Sequence, residues 1–211
     1  MAKLYLHTLP ERIWHGTHAV LVLLLILSGI QIHWPDHFAL FGSFSSAIAW
    51  HNALGLLLVA DFLFWLAYTL ISKRIIHYRF RKGEIHPGMA LQARYYLYDI
   101  FVHKPHPYAP TEDNKFNPLQ KAAYILKMFV WMPLLLASGL IYLFPSFFAP
   151  LVSLIGGLKV VATVHYIMAI LFTSMYIGHI YLATTGHTVL AEFKTVVSGY
   201  REEDPEGAEN A

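Results

Sequence analysis

Two histidines lie inside an apolar stretch long enough to cross a membrane, in the segment VHYIMAILFTSMYIGH (164–179). An imidazole costs free energy in hydrocarbon unless something binds it, so intramembrane histidines indicate a function. His165 and His179 are fourteen residues apart, which is about 21 Å along a helix at about 1.5 Å per residue. At about 100° per residue the two rings share one face. The spacing predicts one helix that carries two ligands, one near each membrane surface.

Four segments of the chain are long and apolar enough to hold such ligands across a bilayer. Charged residues make up only 13% of the sequence, about half the usual share of a globular protein. We predict an all-α integral membrane protein, a bundle of four transmembrane helices. The predicted spans are about 14–33, 46–72, 118–145 and 160–185. The whole chain, 1–211, is expected to form a single domain whose acidic end, 200–211, is disordered.

Basic residues predict which side of the membrane each helix end faces. The segment between the second and third spans carries eight Lys and Arg residues, whereas the opposite side has only Lys159. The positive-inside rule then places both termini in the cytoplasm and the loops 34–45 and 146–159 outside. No cleavage-site pattern follows the first span, so we interpret it as a retained helix. The expected location is a bacterial inner membrane.

The histidines inside the predicted spans pair by depth in this topology. His51 and His165 lie near the outer surface, while His179 lies near the inner surface with His15 or His18. Two pairs of imidazoles across a four-helix bundle suit two bis-histidine haems. The sequence has no cysteine, which excludes covalent c-type haem and thiolate-bound iron–sulfur clusters. The pattern therefore predicts two haem b groups that transfer electrons rather than bind exogenous ligands.

Five motifs are distributed over the chain: RIWH (12–15), HNALG (51–55), FNPLQKAAY (116–124), HYIMAILFTSMYIGHIYLA (165–183) and TTGHTVLAEFKTVVSGY (184–200). They resemble segments of the membrane cytochrome b subunits of formate dehydrogenase, nickel–iron hydrogenase and thiosulfate reductase. The resemblance implies a diheme b-type cytochrome in which His51 and His165 hold the outer haem and His15 and His179 the inner one. It also implies electron transfer between an extracytoplasmic redox subunit and membrane quinone.

Further residues in or next to the predicted spans are candidates for haem contacts, proton transfer or helix packing. His18 and Arg12 are further candidates for contacts with a haem, His18 through a propionate. Asp61, the one carboxylate within the predicted spans, is either a proton relay or a hydrogen-bonded acid that links helices. Four glycines either admit a porphyrin face or allow close helix packing: Gly29, Gly55, Gly139 and Gly178. The segments LSGI (27–30) and ASGL (137–140) show a weak internal sequence similarity.

A quinone site is predicted where the third span begins, at the cytoplasmic surface. Asn117, Gln120 and Lys121 supply polar groups there, and free backbone N–H groups at a helix start favour a partly negative oxygen. The resemblance implies contacts with menaquinone or ubiquinone at the same segment. The alternative is that Asn117 caps the helix, while Gln120 and Lys121 are interfacial polar residues.

We interpret the chain as the electron-transfer subunit of a larger respiratory oxidoreductase complex rather than as a stand-alone enzyme. The expected partners are membrane lipid, quinone, a periplasmic iron–sulfur or multihaem subunit and a catalytic subunit; no nucleic acid is expected. Two alternatives remain. A transition-metal transporter would gather its ligands at one midplane site, and a membrane anchor for an enzyme would bind no haem.

Overall fold

The computed structural model describes residues 3–102, 104–108, 110–186 and 188–202, and most of these residues are helical. In chain order the elements are β1 (Lys3–Tyr5), α1 (Leu9–His33), α2 (Phe44–Ile71), α3 (Met89–Leu97), α4 (Pro118–Leu143), α5 (Ala149–Leu154), α6 (Leu158–Ala183), α7 (Ala191–Ser198) and β2 (Tyr200–Glu202). Helices α1, α2, α4 and α6 have the length and apolar composition of membrane spans. The four-helix membrane fold predicted from the sequence is therefore confirmed.

Local capping sequences determine where two of these spans begin. α1 starts at Leu9, earlier than the predicted residue 14, because the backbone N–H of Thr8 donates to Glu11 Oε2 at 2.8 Å. Thr8 and Glu11 follow the T-x-x-E capping pattern, and Pro10 suits a first helical turn. α4 starts at Pro118 as predicted.

Helix α4 is not uniformly α-helical. Its middle turn, Lys127–Trp131, is a wider π turn, and α-helical geometry resumes at Met132. Pro133 follows directly, and a proline has no N–H to close the usual hydrogen bond to the preceding turn. A π turn next to such a residue lets the chain remain helical across the span.

Contacts divide the chain into two compact units. The first, the bundle unit, comprises Ile13–Ala67 and Val130–His179. The second, the polar unit, comprises Met1–Arg12, Tyr68–Phe129 and Ile180–Ala211. The bundle unit contains most of each spanning helix, whereas the polar unit contains the first residues of α1 and α4, the last residues of α2 and α6, both strands and the segment between α2 and α4.

One residue from each span forms the buried core of the bundle unit: Val22, Leu58, Met132 and Phe172. Large apolar side chains on the outward faces of the same helices are exposed, for example Leu57 at 56% and Ile177 at 63%. A helix that is apolar on all sides is typical of a membrane span. The bundle unit therefore has the surface expected of a protein surrounded by lipid.

The polar unit combines a two-stranded sheet with short helices and turns. β1 pairs antiparallel with β2, with Leu4 opposite Arg201. Residues 200–202, the start of the predicted tail, form β2 in this pairing, and disorder of the tail stays a prediction. Their backbone groups bond to β1 although their sequence is polar. Residues 203–211 of the predicted tail lie outside the described part of the chain.

Candidate cofactor site

The bundle unit brings His51 of α2 and His165 of α6 together. Their ring centroids are 6.3 Å apart, and the ring planes make an angle of 79°. An imidazole nitrogen binds a metal such as zinc at about 2.0 Å, so two rings on opposite sides of one metal have centres about 6 Å apart. The separation of His51 and His165 suits a metal ion between them.

A second facing pair forms between α1 and α6. The ring centroids of His15 and His179 are 6.1 Å apart, and their planes make an angle of 55°. His15 and His18 were both candidates for this position from topology, and His15 is the one that meets His179. Both pairs predicted from depth and resemblance are therefore neighbours in the structure, and their roles as iron ligands remain predictions.

A serine and a glycine on α1 determine the orientation of His51. Ser28 Oγ lies 2.9 Å from His51 Nδ1 and donates its own hydrogen to the carbonyl oxygen of Leu25 at 3.2 Å. Ser28 Oγ therefore accepts from His51 Nδ1–H, and the neutral ring keeps the lone pair of Nε2 for a metal. A Cβ at Gly29 would lie 3.6 Å from His51 Cε1, so the ring packs directly against this glycine.

His165 has the same surroundings on α4. Its Nδ1 lies 3.1 Å from Ser138 Oγ and 3.2 Å from the carbonyl oxygen of Leu135, to which Ser138 also donates at 3.0 Å. A Cβ at Gly139 would lie only 3.1 Å from His165 Cε1, so a larger residue would displace the ring.

The two serines are functional candidates that the sequence-based prediction missed. The sequence did contain a signal for them. The similar segments LSGI and ASGL belong to an L-x-x-S-G pattern that occurs twice, at 25–29 and 135–139. In each copy the leucine carbonyl and the serine hydroxyl face one histidine, and the glycine makes room for its ring.

This donor set fits haem iron. Facing neutral imidazoles are axial ligands that haem accepts, and an N–H bond to an oxygen is the contact that usually orients a metal-ligating histidine. A Cβ at Gly55, one turn after His51, would meet nothing within 4 Å, which suits a flat macrocycle beside that ring. Among the described residues, no group of three or more His, Asp or Glu side chains could hold a metal; the candidate ligands form two pairs.

His18 contacts a carboxylate of α2. Its Nδ1 lies 2.8 Å from Asp61 Oδ2, and Thr17 Oγ1 lies 3.0 Å from Asp61 Oδ1. The Trp14 ring packs on His18 with a centroid distance of 5.0 Å. These contacts join α1 to α2, as the helix-linking interpretation of Asp61 expects, and pairing lowers the cost of burying both groups.

Arg12, the other candidate for a haem contact, lies in the polar unit. Its guanidinium donates to the backbone oxygen of Val197 near the end of α7. Its Nε is buried and has no hydrogen-bond partner among the residues that the structure describes. Arg12 therefore stabilises the polar unit and keeps one donor for a further acceptor.

Asn117 and Gln120 form a reciprocal cap at the start of α4. The backbone N–H of Gln120 donates to Asn117 Oδ1 at 2.9 Å, and the backbone N–H of Asn117 donates to Gln120 Oε1 at 3.1 Å. The remaining amide group of Asn117 donates from Nδ2 to the Tyr96 hydroxyl at 3.0 Å. The capping interpretation of Asn117 is thus observed, and the amide NH₂ of Gln120 takes no part in the cap.

Lys121, the third residue predicted to contact a quinone, is completely buried. Its Nζ donates to both carboxylate oxygens of Glu84, at 2.9 and 2.7 Å, and to the backbone oxygen of Arg79 at 3.1 Å. Burial alone would raise the pKa of Glu84, but hydrogen bonds from Lys121, the Arg81 backbone and the Asn114 side chain outweigh it and lower that pKa. All three Lys121 N–H donors are therefore used within the polar unit.

Comparison with known proteins identifies relatives over nearly the whole chain. The family model described as prokaryotic cytochrome b561 matches residues 6–199. A protein of Escherichia coli (strain K12) named "Putative cytochrome YdhU" is 35% identical over 201 residues, which cover 94% of this chain and 74% of that protein. A protein of Azospira oryzae named "Putative protein-methionine-sulfoxide reductase subunit YedZ1" is 27% identical over 165 residues, 74% of this chain and 78% of that protein. The family match includes all four histidines of the facing pairs.

Proposed function

Because the chain belongs to the prokaryotic cytochrome b561 family of membrane electron-transfer proteins, we propose that it is a diheme subunit connecting quinone with an extracytoplasmic partner. Family membership implies haem b binding and a multi-pass protein of the bacterial inner membrane. A haem supplies reversible one-electron chemistry at its iron. The observation that carries the diheme proposal is the presence of two facing imidazole pairs, with centroids 6.3 and 6.1 Å apart.

Each pair is assigned to one haem and to one side of the membrane. We infer that His51 and His165 hold the haem nearer the outer surface, and that His15 and His179 hold the haem nearer the cytoplasm. The distribution of Lys and Arg supports this orientation through the positive-inside rule. Two imidazoles bound to one iron would leave no position for an exogenous ligand, which would favour electron transfer over oxygen chemistry.

The outer haem is proposed to exchange electrons with a periplasmic iron–sulfur or multihaem subunit, which connects it to a catalytic subunit. The outer loops, 34–45 and 146–159, expose large apolar side chains, including Leu40 at 60% and Phe147 at 80%. Exposed apolar groups of this kind suit contact with a partner or with lipid. One relative is named as a reductase subunit, which supports a complex of this type. A partner bound only through residues 73–117 would contradict this assignment.

The inner haem is proposed to exchange electrons with menaquinone or ubiquinone bound at the start of α4. Gln120 supplies its amide NH₂ and Asn117 its second Nδ2–H as donors to a quinone carbonyl. Lys121 acts indirectly, since its ammonium group holds Glu84 and the preceding turn in place. His18 and Arg12 contribute polar contacts near the ligand helix rather than iron bonds.

The diheme assignment is tested by colour and stoichiometry. The purified protein should be red, with a reducible b-type spectrum and two haems per chain. A colourless protein that binds zinc would favour the transporter alternative, and a colourless protein that binds no metal would favour the haem-free anchor.

The quinone assignment is tested by the rate at which a short-chain menaquinol or ubiquinol reduces the haems. Asn117→Ala and Gln120→Leu should slow this rate while both haems stay bound. Gln31→Leu is a matched control, because Gln31 is buried in the bundle unit and bonds to the outer loop at Phe41 and Gly42. Unchanged rates and unchanged inhibitor sensitivity in the Asn117 and Gln120 variants would remove the quinone site from this end of α4.

A further inference from the structure

We propose that the segment directly after α2 forms a binding site for the headgroup of an anionic phospholipid. Arg79 and Lys82 bind the phosphate, and Ile76 and Phe80 contact the lipid where its acyl chains begin. The proposal requires only that α2 is a membrane span, as its length and composition indicate. It does not depend on the assignment of the haems or of the quinone site.

Basic residues are concentrated where the chain leaves the second span. Residues 73–82 include five Lys or Arg side chains and no Asp or Glu. A 3₁₀ helix, Arg74–Tyr78, follows the end of α2 at Ile71 almost immediately, so the segment stays close to the end of the span. A cluster of Lys and Arg directly after a membrane span is a pattern typical of binding to anionic lipids.

A groove at the surface of the polar unit gathers several of these residues. It has a volume of about 390 Å³ and is lined by Ile76, Arg79, Phe80, Arg81 and Lys82. Sites for small ligands usually measure about 300–1,000 Å³, so the groove can admit a phosphoglycerol headgroup. Among the residues that the structure describes, no acidic side chain lines it. An anion in the groove therefore contacts cations and apolar groups only.

Two of the cations in the groove are available to a ligand. Arg79 and Lys82 are exposed, and neither forms an ion pair within the described part of the chain. Arg81 is partly used, because its guanidinium donates to the backbone oxygen of Asp113 at 2.8 Å. An Arg side chain can donate two parallel hydrogen bonds to a phosphate, and a Lys ammonium adds a compact positive charge. Phosphate binding is therefore assigned to Arg79 and Lys82.

A buried ion pair holds the backbone that carries these cations. Lys121 Nζ donates to the backbone oxygen of Arg79 at 3.1 Å, and the backbone N–H of Arg81 donates to Glu84 Oε2 at 2.7 Å. Because Lys121 and Glu84 also bond to each other, one pair fixes the segment at two points. Gly83 then turns the chain with a φ of 85°, a conformation that glycine adopts without strain. The loop is thus ordered before a ligand binds, which favours affinity.

Exposed apolar side chains indicate a lipid rather than a free phosphate ion. Ile76 lines the groove and is 59% exposed, and Ile71 in the last turn of α2 is 82% exposed. A cationic groove with exposed isoleucines suits the boundary between lipid headgroups and acyl chains, where both kinds of group find partners. A soluble phosphate would contact the cations and leave the isoleucines in water.

The test is lipid binding to the purified, delipidated protein, measured by native mass spectrometry. Wild type should bind phosphatidylglycerol more tightly than phosphatidylcholine, and millimolar inorganic phosphate should not displace the bound lipid. Arg79→Gln and Lys82→Gln should each weaken phosphatidylglycerol binding about fivefold, since one basic residue near an anionic surface contributes roughly that factor. Ile76→Asn should also weaken it. Lys194→Gln is the matched control, because it removes an exposed lysine of the same unit outside the groove.

A second set of measurements separates the site from the stability of the fold. Haem content and protease sensitivity between residues 74 and 117 should keep their wild-type values in all the variants. Arg79→Lys, which retains the charge, should retain more of the binding than Arg79→Gln. Equal affinity for the two lipids, or an equal loss in Lys194→Gln and Arg79→Gln, would overturn the site.

Other occupants of the groove give different results. Displacement of the lipid by millimolar inorganic phosphate, with wild-type binding in Ile76→Asn, would assign the groove to a soluble anion. Phosphatidylglycerol binding that occurred only after removal of residues 203–211 would assign the groove to the acidic end of the chain. Either result would overturn the lipid assignment.

Discussion

The bundle unit and the polar unit stabilise their polar groups in opposite ways. In the bundle unit, His51 and His165 are held by neutral serine hydroxyls. In the polar unit, ion pairs join distant parts of the chain, such as Lys121 with Glu84. A histidine of the bundle unit that faces a second imidazole therefore indicates a ligand site, whereas a charge in the polar unit first of all stabilises the fold.

A second ion-pair group in the polar unit supports this distinction. Glu11, in the first turn of α1, accepts from Arg74 and from Lys115, and Lys115 is only 8% exposed. Burial alone would lower the pKa of Lys115, and its contact with Glu11 offsets part of this effect. Breaking a buried pair leaves an uncompensated charge, although the intact pair adds little net stability over an apolar one.

The largest expected effect is loss of one haem from the bundle unit. His51→Ala should remove the outer haem, leave the inner one and reduce the haem-to-protein ratio from two to one, because no second imidazole replaces the ligand. His15→Ala should remove the inner haem instead. Haem extraction and low-spin resonance spectra measure both outcomes. His33→Ala is the matched control, since His33 is exposed at the end of α1 and its loss should leave two haems.

His18, which pairs with Asp61, is expected to behave differently from the histidines of the facing pairs. His18→Ala should keep both haems, because the Nδ1 of its ring is bound by the Asp61 carboxylate and the two facing pairs remain intact. If His51→Ala kept two low-spin haems while His18→Ala lost one, the assignment of ligands by facing pairs would be incorrect. It would then be wrong to distinguish histidines that bind haem from histidines, such as His18, that link helices.

Removal of a buried charge should affect the polar unit next most strongly. Lys121→Met leaves the Glu84 carboxylate buried without its cation and should destabilise this unit by about 3–5 kcal/mol. The double variant Lys121→Met with Glu84→Gln should recover part of the loss. Limited proteolysis between residues 74 and 117 reports the stability of the polar unit, and haem content reports that of the bundle unit. If Lys121→Met lost haem under the same conditions in which its polar unit became sensitive to protease, ligand binding in the bundle unit would not be independent of the polar unit.

The same contrast explains how much of the molecule could be predicted from its sequence. Spans and paired histidines are local signals, since about twenty apolar residues suffice for a span and imidazoles are rare within one. The pairing of residues 200–202 with β1 joins opposite ends of the chain, and no local pattern predicts such a contact. Lys121 was predicted to contact quinone because it follows Asn117 and Gln120. Its partner Glu84 is 37 positions away, which sequence spacing does not reveal.

Acidification should destabilise the polar unit by a somewhat smaller amount than the Lys121→Met substitution does. Burial, with Lys115 nearby, lowers the pKa of His77 and of His7 from 6.5 to about 4. Between these values the unfolded chain binds protons that the folded chain does not, so stability is complete above about pH 6.5 and falls as the pH drops towards 4. For His77, which is 8% exposed, the difference corresponds to roughly 3 kcal/mol. The lowered pKa of Glu84 acts in the same direction at lower pH.

Replacement of His77 tests the source of this pH dependence. His77→Leu should flatten the decrease in the unfolding midpoint of the polar unit between about pH 6.5 and 4. His37→Leu is the control, because His37 is exposed in the bundle unit and its loss should leave the decrease unchanged. An equally steep decrease in His77→Leu and wild type would assign the acid sensitivity to other groups.

The smallest effect should come from the serines that orient the outer ligands. Ser28→Ala removes the acceptor of His51 Nδ1–H, and loss of such a contact typically weakens metal binding about 10- to 100-fold. Ser138→Ala should act on His165 in the same way, and in both variants the carbonyl oxygen of the leucine three residues earlier, Leu25 or Leu135, still faces the ring and limits the loss. Ser174→Ala is the control, since Ser174 bonds only within α6, to the Ile170 carbonyl. The rate of haem transfer to apomyoglobin should rise for the outer haem in Ser28→Ala and Ser138→Ala relative to Ser174→Ala, with the inner haem unchanged. Equal rates in all three would mean that packing against Gly29 and Gly139 suffices to orient the rings, and that the repeated serines have no role in ligand geometry.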